Sequence, residues 1–491
     1  MKERPKSILK AFLFSGVVYF PLFLHLENLP IRLWDESRLA MNAYEMHKNA
    51  DYLVTYFQGS PDMWNTKPPL MIWLQVLCIR LFGNGELAIR LPAALAALLT
   101  CLALLLFSQY FLKSYWLGML SVLVLVTTGG YIDVHVSRTG DYDALLILNT
   151  TLYVLLFFIF IETGKTKYLY LTFLTLMLAI LTKGVAGLLF TPALVLYVFY
   201  RKKMLELLKN RHVYRGLLLV VLTAGGYYLL REYYNPGYLK AVAQNELGGR
   251  YFNTLEGHRQ RYWFYFFNII DSKFIPWYLF APVGLLFGFF HKKPIINNLS
   301  VYLAMLILVY FFVISSGQSR LYWYDAPMFP LLSVLVAIFL WYWFDFFSSS
   351  PAFATNLRAN VFPLTFSFLV FVIPYSNIIN KVYLPQEPDY IEEYPLTRTL
   401  QKALKGKKNL NNHRVCYERN RTSALFYVQL LKDRGVQIEF ADYNKLNIGD
   451  TVMAFQPDVK KNIEELYKIK VLEENRNLKT YSIIEVYECK N

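Results

Sequence analysis

Four carboxylates and a set of cations stand where they could act on a substrate. Asp35 and Glu36 lie between Arg32 and Arg38 in NLPIRLWDESRLAMNAYEMHKN, and Asp141 and Asp143 fall together in HVSRTGDYDALL. Lys67 precedes a double proline in WNTKPPLMIWL, and Lys183 sits between apolar blocks in ILTKGVAGLLF. NELGGRYFNTLEGHRQRYWFYF carries Glu246, Arg250 and His258, and SSGQSRLYWYDAP carries Arg320 and Tyr324. A carboxylate in a shielded cavity can orient an acceptor or take its proton. Fixed cations stabilise a leaving group on which negative charge grows. Each residue also has an ordinary role: Asp35 and Glu36 suit the first turn of the amphipathic stretch ESRLAMNAYEMH, and Asp141 would cap the helix after it. Lys67 fits an interfacial lysine, His258 a loop hydrogen-bonder, and Lys183 and Arg320 helix-end anchors. Their co-occurrence on one face favours chemistry over these separate roles.

The elements that must bring them together are membrane helices. The chain of 491 residues is 55% hydrophobic and 17% charged, with 38 Tyr, 38 Phe and 9 Trp. A soluble chain carries about 25% charged residues, and aromatic enrichment marks water–lipid boundaries. At roughly 20 residues per crossing, the apolar blocks predict about eleven spans, near 8–27, 88–112, 115–132, 144–162, 168–182, 184–200, 215–232, 263–290, 297–316, 325–347 and 360–377. The net charge of +15 comes from short basic gaps such as ETGKTK and RKKMLELLKNRHVYR. These are positive-inside signals and not a nucleic-acid-binding stripe. With the amino terminus inside, the long loops 28–87 and 233–262, the tight 133–143 and the short 317–324 share the outer face. All the residues singled out above lie on or beside that face.

Residues 378–491 differ in composition. Alternating runs such as HRVCYE, VQIEF, TVMAF and YSIIEVYE, separated by helical stretches, predict a small soluble α/β domain on the outer face, after a membrane domain over 1–377. Cys78 and Cys101 read as apolar packing residues. Cys416 and Cys489 lie in the polar tail, where a disulfide is one option and free thiols the other.

The order DESR, TKPPL, ELAIRLPAAL, SRTGDYDALL, LTKGVAGLL, NELGGRY and SSGQSRLYWYDAPMFP resembles the polyprenyl-phosphate-sugar-dependent glycosyltransferases of the GT-C class, the family of the bacterial lipid A aminoarabinose transferase and the protein O-mannosyltransferases. The resemblance covers roughly residues 30–330. It implies an integral membrane enzyme, in a bacterial inner membrane, that moves a sugar from a polyprenyl phosphate to a lipid, glycan or protein acceptor of the cell envelope, with inversion. It implies Asp35, Glu36 and Asp143 or Asp141 as cavity acids. By the same resemblance Arg38, Lys67, Arg320 and Tyr324 would handle the donor and His258 would be a metal ligand; Lys183 and Arg250, cations of the same face, join them as substrate-binding candidates from the residue reading alone. The position that supplies a glutamate beside the lysine in the aminoarabinose enzyme is Thr66 here, and Leu39 replaces a usual tyrosine. A divalent metal is the cofactor class left open; no Gly-rich phosphate loop calls for a nucleotide. A transporter or flippase of lipid-linked sugars is the alternative, and it would place ionisable residues at mid-bilayer on broken helices.

Overall fold

A computed structural model describes residues 4–247, 251, 259–349, 358–383, 385, 392–418 and 421–487. Helix α1 (Arg4–Phe23) leads through an irregular segment to α2 (Asp35–Asn49), a small hairpin of β1 (Tyr56–Phe57) and β2 (Ser60–Pro61), and α3 (Leu70–Phe82). Then follow α4 (Glu86–Leu106), α5 (Tyr115–Val126), α6 (Asp143–Thr163), α7 (Thr166–Lys183) and α8 (Thr191–Tyr200). Among the described residues, seven helical stretches are long and apolar enough to cross a membrane, and shorter apolar helices cover 8–23, 115–126, 191–200 and 277–289. Together these eleven stretches overlap the eleven expected spans.

The fifth expected span and the sixth meet at the TKG turn. Gly184 adopts φ 56 and ψ −129, breaking α7 immediately after Lys183; glycine enters such geometry without a Cβ penalty. The Leu70–Phe82 helix was not expected. It is another short apolar helix of 13 residues, and it packs against α2 and α4.

After the last apolar helix, Arg358–Tyr383, a helix Tyr394–Leu404 leads into a mixed sheet. Its strands are β3 (His413–Cys416), β4 (Ile438–Ala441), β5 (Thr451–Ala454), β6 (Tyr467–Asn475) and β7 (Leu478–Val486), in the order β4-β3-β5-β7-β6. β3 is parallel to both β4 and β5, while β7 is antiparallel to β5 and β6. Helices Thr422–Asp433 and Pro457–Leu466 connect the strands. The second ends at Leu466, and Tyr467 begins the β6 strand directly, buried beside Ile463 and Tyr481. Cys416 is a buried free thiol on β3; Cys489 lies outside the described residues.

This unit does not hang free of the helices. One apolar core joins Ala40, Tyr44, Ile72, Val76 and Ile89 of α2, α3 and α4 to Leu396, Leu400, Tyr427 and Leu431 of the carboxy-terminal part. Polar bonds reinforce the seam. The Tyr427 hydroxyl donates to Glu86 at 2.7 Å and accepts from the Ile31 N–H at 2.8 Å, and Tyr44 donates to Asp433 at 2.6 Å.

Candidate active site

Helix α2 begins under strain. Trp34 holds φ 75, a left-handed backbone that is costly for a bulky residue and concentrates at functional sites. The two acids that follow then part company. The Asp35 side chain is 56% exposed, whereas Glu36 is buried and fully occupied. Its carboxylate accepts from Arg90 Nε at 2.7 Å and Nη2 at 2.9 Å, from the Arg32 N–H at 2.8 Å and from the Gly140 N–H at 2.9 Å. Burial alone would raise the Glu36 carboxyl, but Arg90 and the two backbone donors outweigh it and hold it below its ordinary value. Arg90 in turn donates to the carbonyls of Leu26, Leu29 and Pro30. Glu36, expected as a second cavity acid, therefore braces the loop that carries Asp35.

The α5–α6 loop supplies the next layer. Gly140 is packed so tightly that a Cβ would lie 2.7 Å from the Ile89 carbonyl oxygen, which lets its N–H reach Glu36. Asp141 is buried and takes the Thr139 hydroxyl, and Asp143 opens α6 and accepts from Lys183 Nζ at 2.6 Å. Lys183 Nζ also stands 5.6 Å from the centre of the Tyr324 ring. His135 links these groups. Its Nδ1 lies 3.5 Å from Asp141 and 3.8 Å from Asp35, and its ring stacks on Trp323 with centroids 3.6 Å apart. Burial would lower the His135 imidazole, but Asp141, Asp35 and Asp143 outweigh it and raise it. Asp35, Asp141, Asp143, Lys183 and Tyr324 thus fall into one network, with His135 and Trp323 as members that sequence reasoning passed over. His135 heads the same HVSRTGDYDALL run as the aspartates, and its place six residues before Asp141 in a tight loop was the available signal.

Lys67 belongs to an adjoining group. Its Nζ is 5.5 Å from the centre of the Tyr142 ring and 3.6 Å from Glu246, which also receives the buried Thr66 hydroxyl at 3.4 Å. Position 66 therefore offers a hydroxyl already engaged by Glu246. Arg250 and His258 lie outside the described residues. Arg38, expected to meet phosphate, commits its Nε–Nη2 edge to the buried Asp62 at 2.9 and 2.6 Å. Arg320 turns its guanidinium onto backbone, donating to the Ser315 carbonyl at 3.1 and 2.8 Å and to the Gln260 carbonyl. It still lines an opening of about 510 Å³ shared with Arg259, Arg261, Gln260, Tyr262 and Gln318. Three guanidinium groups around one opening suit an anion.

The fold has known counterparts. The structure of ArnT from Cupriavidus metallidurans bound to undecaprenyl phosphate superposes with a TM-score of 0.70 at 14% identity, covering 98% of each chain. The fold is shared with ArnT. The apo oligosaccharyltransferase of Archaeoglobus fulgidus follows at a TM-score of 0.57 and 12% identity, covering 91% of this chain and 66% of that one. In sequence, the family model described as dolichyl-phosphate-mannose-protein mannosyltransferase matches residues 66–225. An undecaprenyl phosphate-alpha-4-amino-4-deoxy-L-arabinose arabinosyl transferase of Aeromonas hydrophila subsp. hydrophila is 26% identical over 332 residues, 65% of this chain and 58% of that protein. A protein of Aquifex aeolicus is 25% identical over 323 residues, 65% of this chain and 62% of its own length. The matched stretch thus spans less than two thirds of either relative.

Proposed function

We propose that this chain is a membrane glycosyltransferase that moves a sugar from a polyprenyl-phosphate donor to a lipid, glycan or protein acceptor on the extracytoplasmic face of a bacterial inner membrane. The observation that carries the reading is the convergence, at one end of the helices, of three aspartates, His135 and Lys183, on the same side as the three-arginine opening. A flippase would place its ionisable groups at mid-bilayer on broken helices. The likeness to ArnT in fold and to arabinosyl transferases in sequence supports the enzyme.

In this reading the bond between the anomeric carbon and the phosphate oxygen breaks as the acceptor forms a new bond to that carbon from the opposite side. The lipid phosphate leaves with the electron pair. Asp35, exposed at the helix start, orients an acceptor hydroxyl and takes its proton. Lys67 and the arginines of the opening receive the charge that grows on the phosphate. Asp143 and Lys183 form a buried pair that fixes the chamber wall beneath Tyr324. Residues 1–377 carry the reaction, and 378–491 form a soluble unit against the same face.

The decisive experiment is incubation of the purified chain with defined polyprenyl-phosphate sugars and a membrane extract, followed by identification of what becomes glycosylated. Asp35→Asn should abolish transfer while leaving insertion and oligomer profile unchanged; wild-type transfer by that variant would remove Asp35 from the mechanism.

A further inference from the structure

The α5–α6 loop places an imidazole between two carboxylates at separations longer than ordinary hydrogen bonds. His135 Nδ1 is 3.5 Å from Asp141 Oδ2 and 3.8 Å from Asp35 Oδ2. An N–H···O bond is about 2.7–3.2 Å long. One ligand atom from each of Asp35, His135 and Asp141 lies within 4.8 Å of the other two. With bonds of ~2.1 Å, neighbouring ligands of a single ion stand roughly 3.0–3.4 Å apart, and opposite ones about 4.2 Å. The three atoms therefore need to move only by tenths of an ångström to share one cation.

A second observation points to a ligand. Asp141 is 2% exposed, and its Oδ1 has no hydrogen-bond partner among the described residues; neither has His135 Nδ1. Buried polar atoms of a native chain normally find a partner. Protonating His135 does not resolve the site, because one Nδ1–H cannot serve two carboxylates and leaves the pair with an excess negative charge. Asp143 adds no demand, since Lys183 already balances it. A dication matches the two remaining charges.

The three side chains are also held in place beforehand. His135 has φ 63, its N–H donates to Thr139 Oγ1 at 2.7 Å, and the same Thr139 hydroxyl donates to Asp141. Trp323 fixes the imidazole plane by stacking at 14°, and the Glu36–Arg90 brace fixes the helix start that bears Asp35. The exposed Asp35 side leaves coordination positions open.

We propose that Asp35, His135 and Asp141 bind one divalent first-row cation, Mn²⁺ or Zn²⁺, each through a single atom. One imidazole with two carboxylates suits these ions better than Mg²⁺, which prefers all-oxygen shells. Binding of the ion stands on this geometry alone; its use, to neutralise a phosphate leaving group while the second Asp35 oxygen stays available to the acceptor, rests on the glycosyltransferase reading.

The test is direct binding by the full chain in detergent, without sugar donor. Chelator-treated protein is loaded with Mn²⁺, desalted and measured for bound metal and for nitrogen modulation in the electron spin echo; Zn²⁺ is loaded in parallel. The expected result is one ion per chain, with imidazole nitrogen coupled to the Mn²⁺. His135→Ala should abolish the nitrogen signal, and His135→Ala and Asp141→Asn should each weaken binding at least tenfold. His135→Gln serves where the alanine variant does not fold. Glu162→Gln, at the opposite end of α6, should bind as wild type. No stoichiometric ion of either metal, or equal binding by the folded His135 variant, overturns the proposal. A chain that binds the ion and transfers no sugar supports the site and removes the transfer reading.

Discussion

Removing the Glu36 carboxylate should destabilise the protein far more than removing its exposed neighbour Asp35, and the structure sets the scale. Glu36→Ala strips Arg90 of its counter-ion in a site where both residues are at most 2% exposed. It also strands the Arg32 and Gly140 N–H groups that now donate to it. Breaking one side of a buried ion pair costs about 3–5 kcal/mol, and each orphaned buried donor adds about 1–3 kcal/mol where water cannot enter. The three carbonyls of Leu26, Leu29 and Pro30 still solvate Arg90, which argues for the lower end, ~5 kcal/mol in total. Glu36→Gln keeps the shape and one acceptor oxygen and loses the charge, so about half that loss is expected, ~2.5 kcal/mol.

The assay is graded denaturation in mixed micelles, followed by circular dichroism, on Glu36→Ala, Glu36→Gln, Arg90→Met and the Glu36→Met/Arg90→Met double variant. The double variant should recover part of the single losses, since no unpaired charge remains. Because Glu36 is held below its ordinary value, its stabilising contribution is present above the unfolded carboxyl's range. It should disappear only as the pH falls through the lower folded value. Wild-type stability of Glu36→Ala, with transfer lost, would refute the brace and return Glu36 to the chemistry.

Further outcomes are expected elsewhere. Glu393 is buried against Tyr417 and Ser423, and burial pushes its carboxyl up to about 7 from 4.5. The fold favours its protonated form, so the carboxy-terminal unit should be most stable below pH ~4.5 and lose on the order of 3 kcal/mol as the pH rises to ~7. Hydrogen exchange at pH 5 and pH 8 should show this difference, and Glu393→Gln should flatten it. Gly140→Ala drives a methyl group against the Ile89 backbone and should cost ~1–3 kcal/mol while lowering transfer with the Glu36 contact disturbed, as read by denaturation and product formation together. Lys67→Ala should raise the donor KM with less effect on the acceptor KM; unchanged donor kinetics would release Lys67 from the phosphate.

The spans were legible because each is a run of apolar residues, a property local in sequence. Leu70–Phe82 escaped because it directly follows the polar WNTKPP stretch of a long loop and nothing nearby announces what it packs on. The strand Tyr467–Asn475 escaped for a related reason: it follows the helix Pro457–Leu466 with no turn residue between them, so the YKIKV alternation has no marked start. At the site, residue types were readable and partnerships were not. Asp35 and Glu36 look equivalent in DESR, yet one faces out and the other meets Arg90, 54 positions away. Arg38 and Arg320 carry the charge a phosphate needs, but Asp62 and the Ser315 carbonyl claim part of each guanidinium. A sequence shows the charge and not the competitor for it.

The same competition explains why the carboxy-terminal unit matters to a site it does not line. Asp35 sits at the end of a loop whose carbonyls at Leu26, Leu29 and Pro30 are held by Arg90. Gln401 and Arg398 take the neighbouring carbonyls of Glu27 and Asn28. Tyr427 secures the Ile31 N–H and the Glu86 carboxylate on the helix that presents Arg90. Removing the unit would therefore expose apolar surface of α2 and α3 and release backbone groups on both sides of the brace, so the position of Asp35 depends on bonds made some 370 to 400 residues further along the chain. The tail is part of the scaffold that aims the acid, whatever it also recognises.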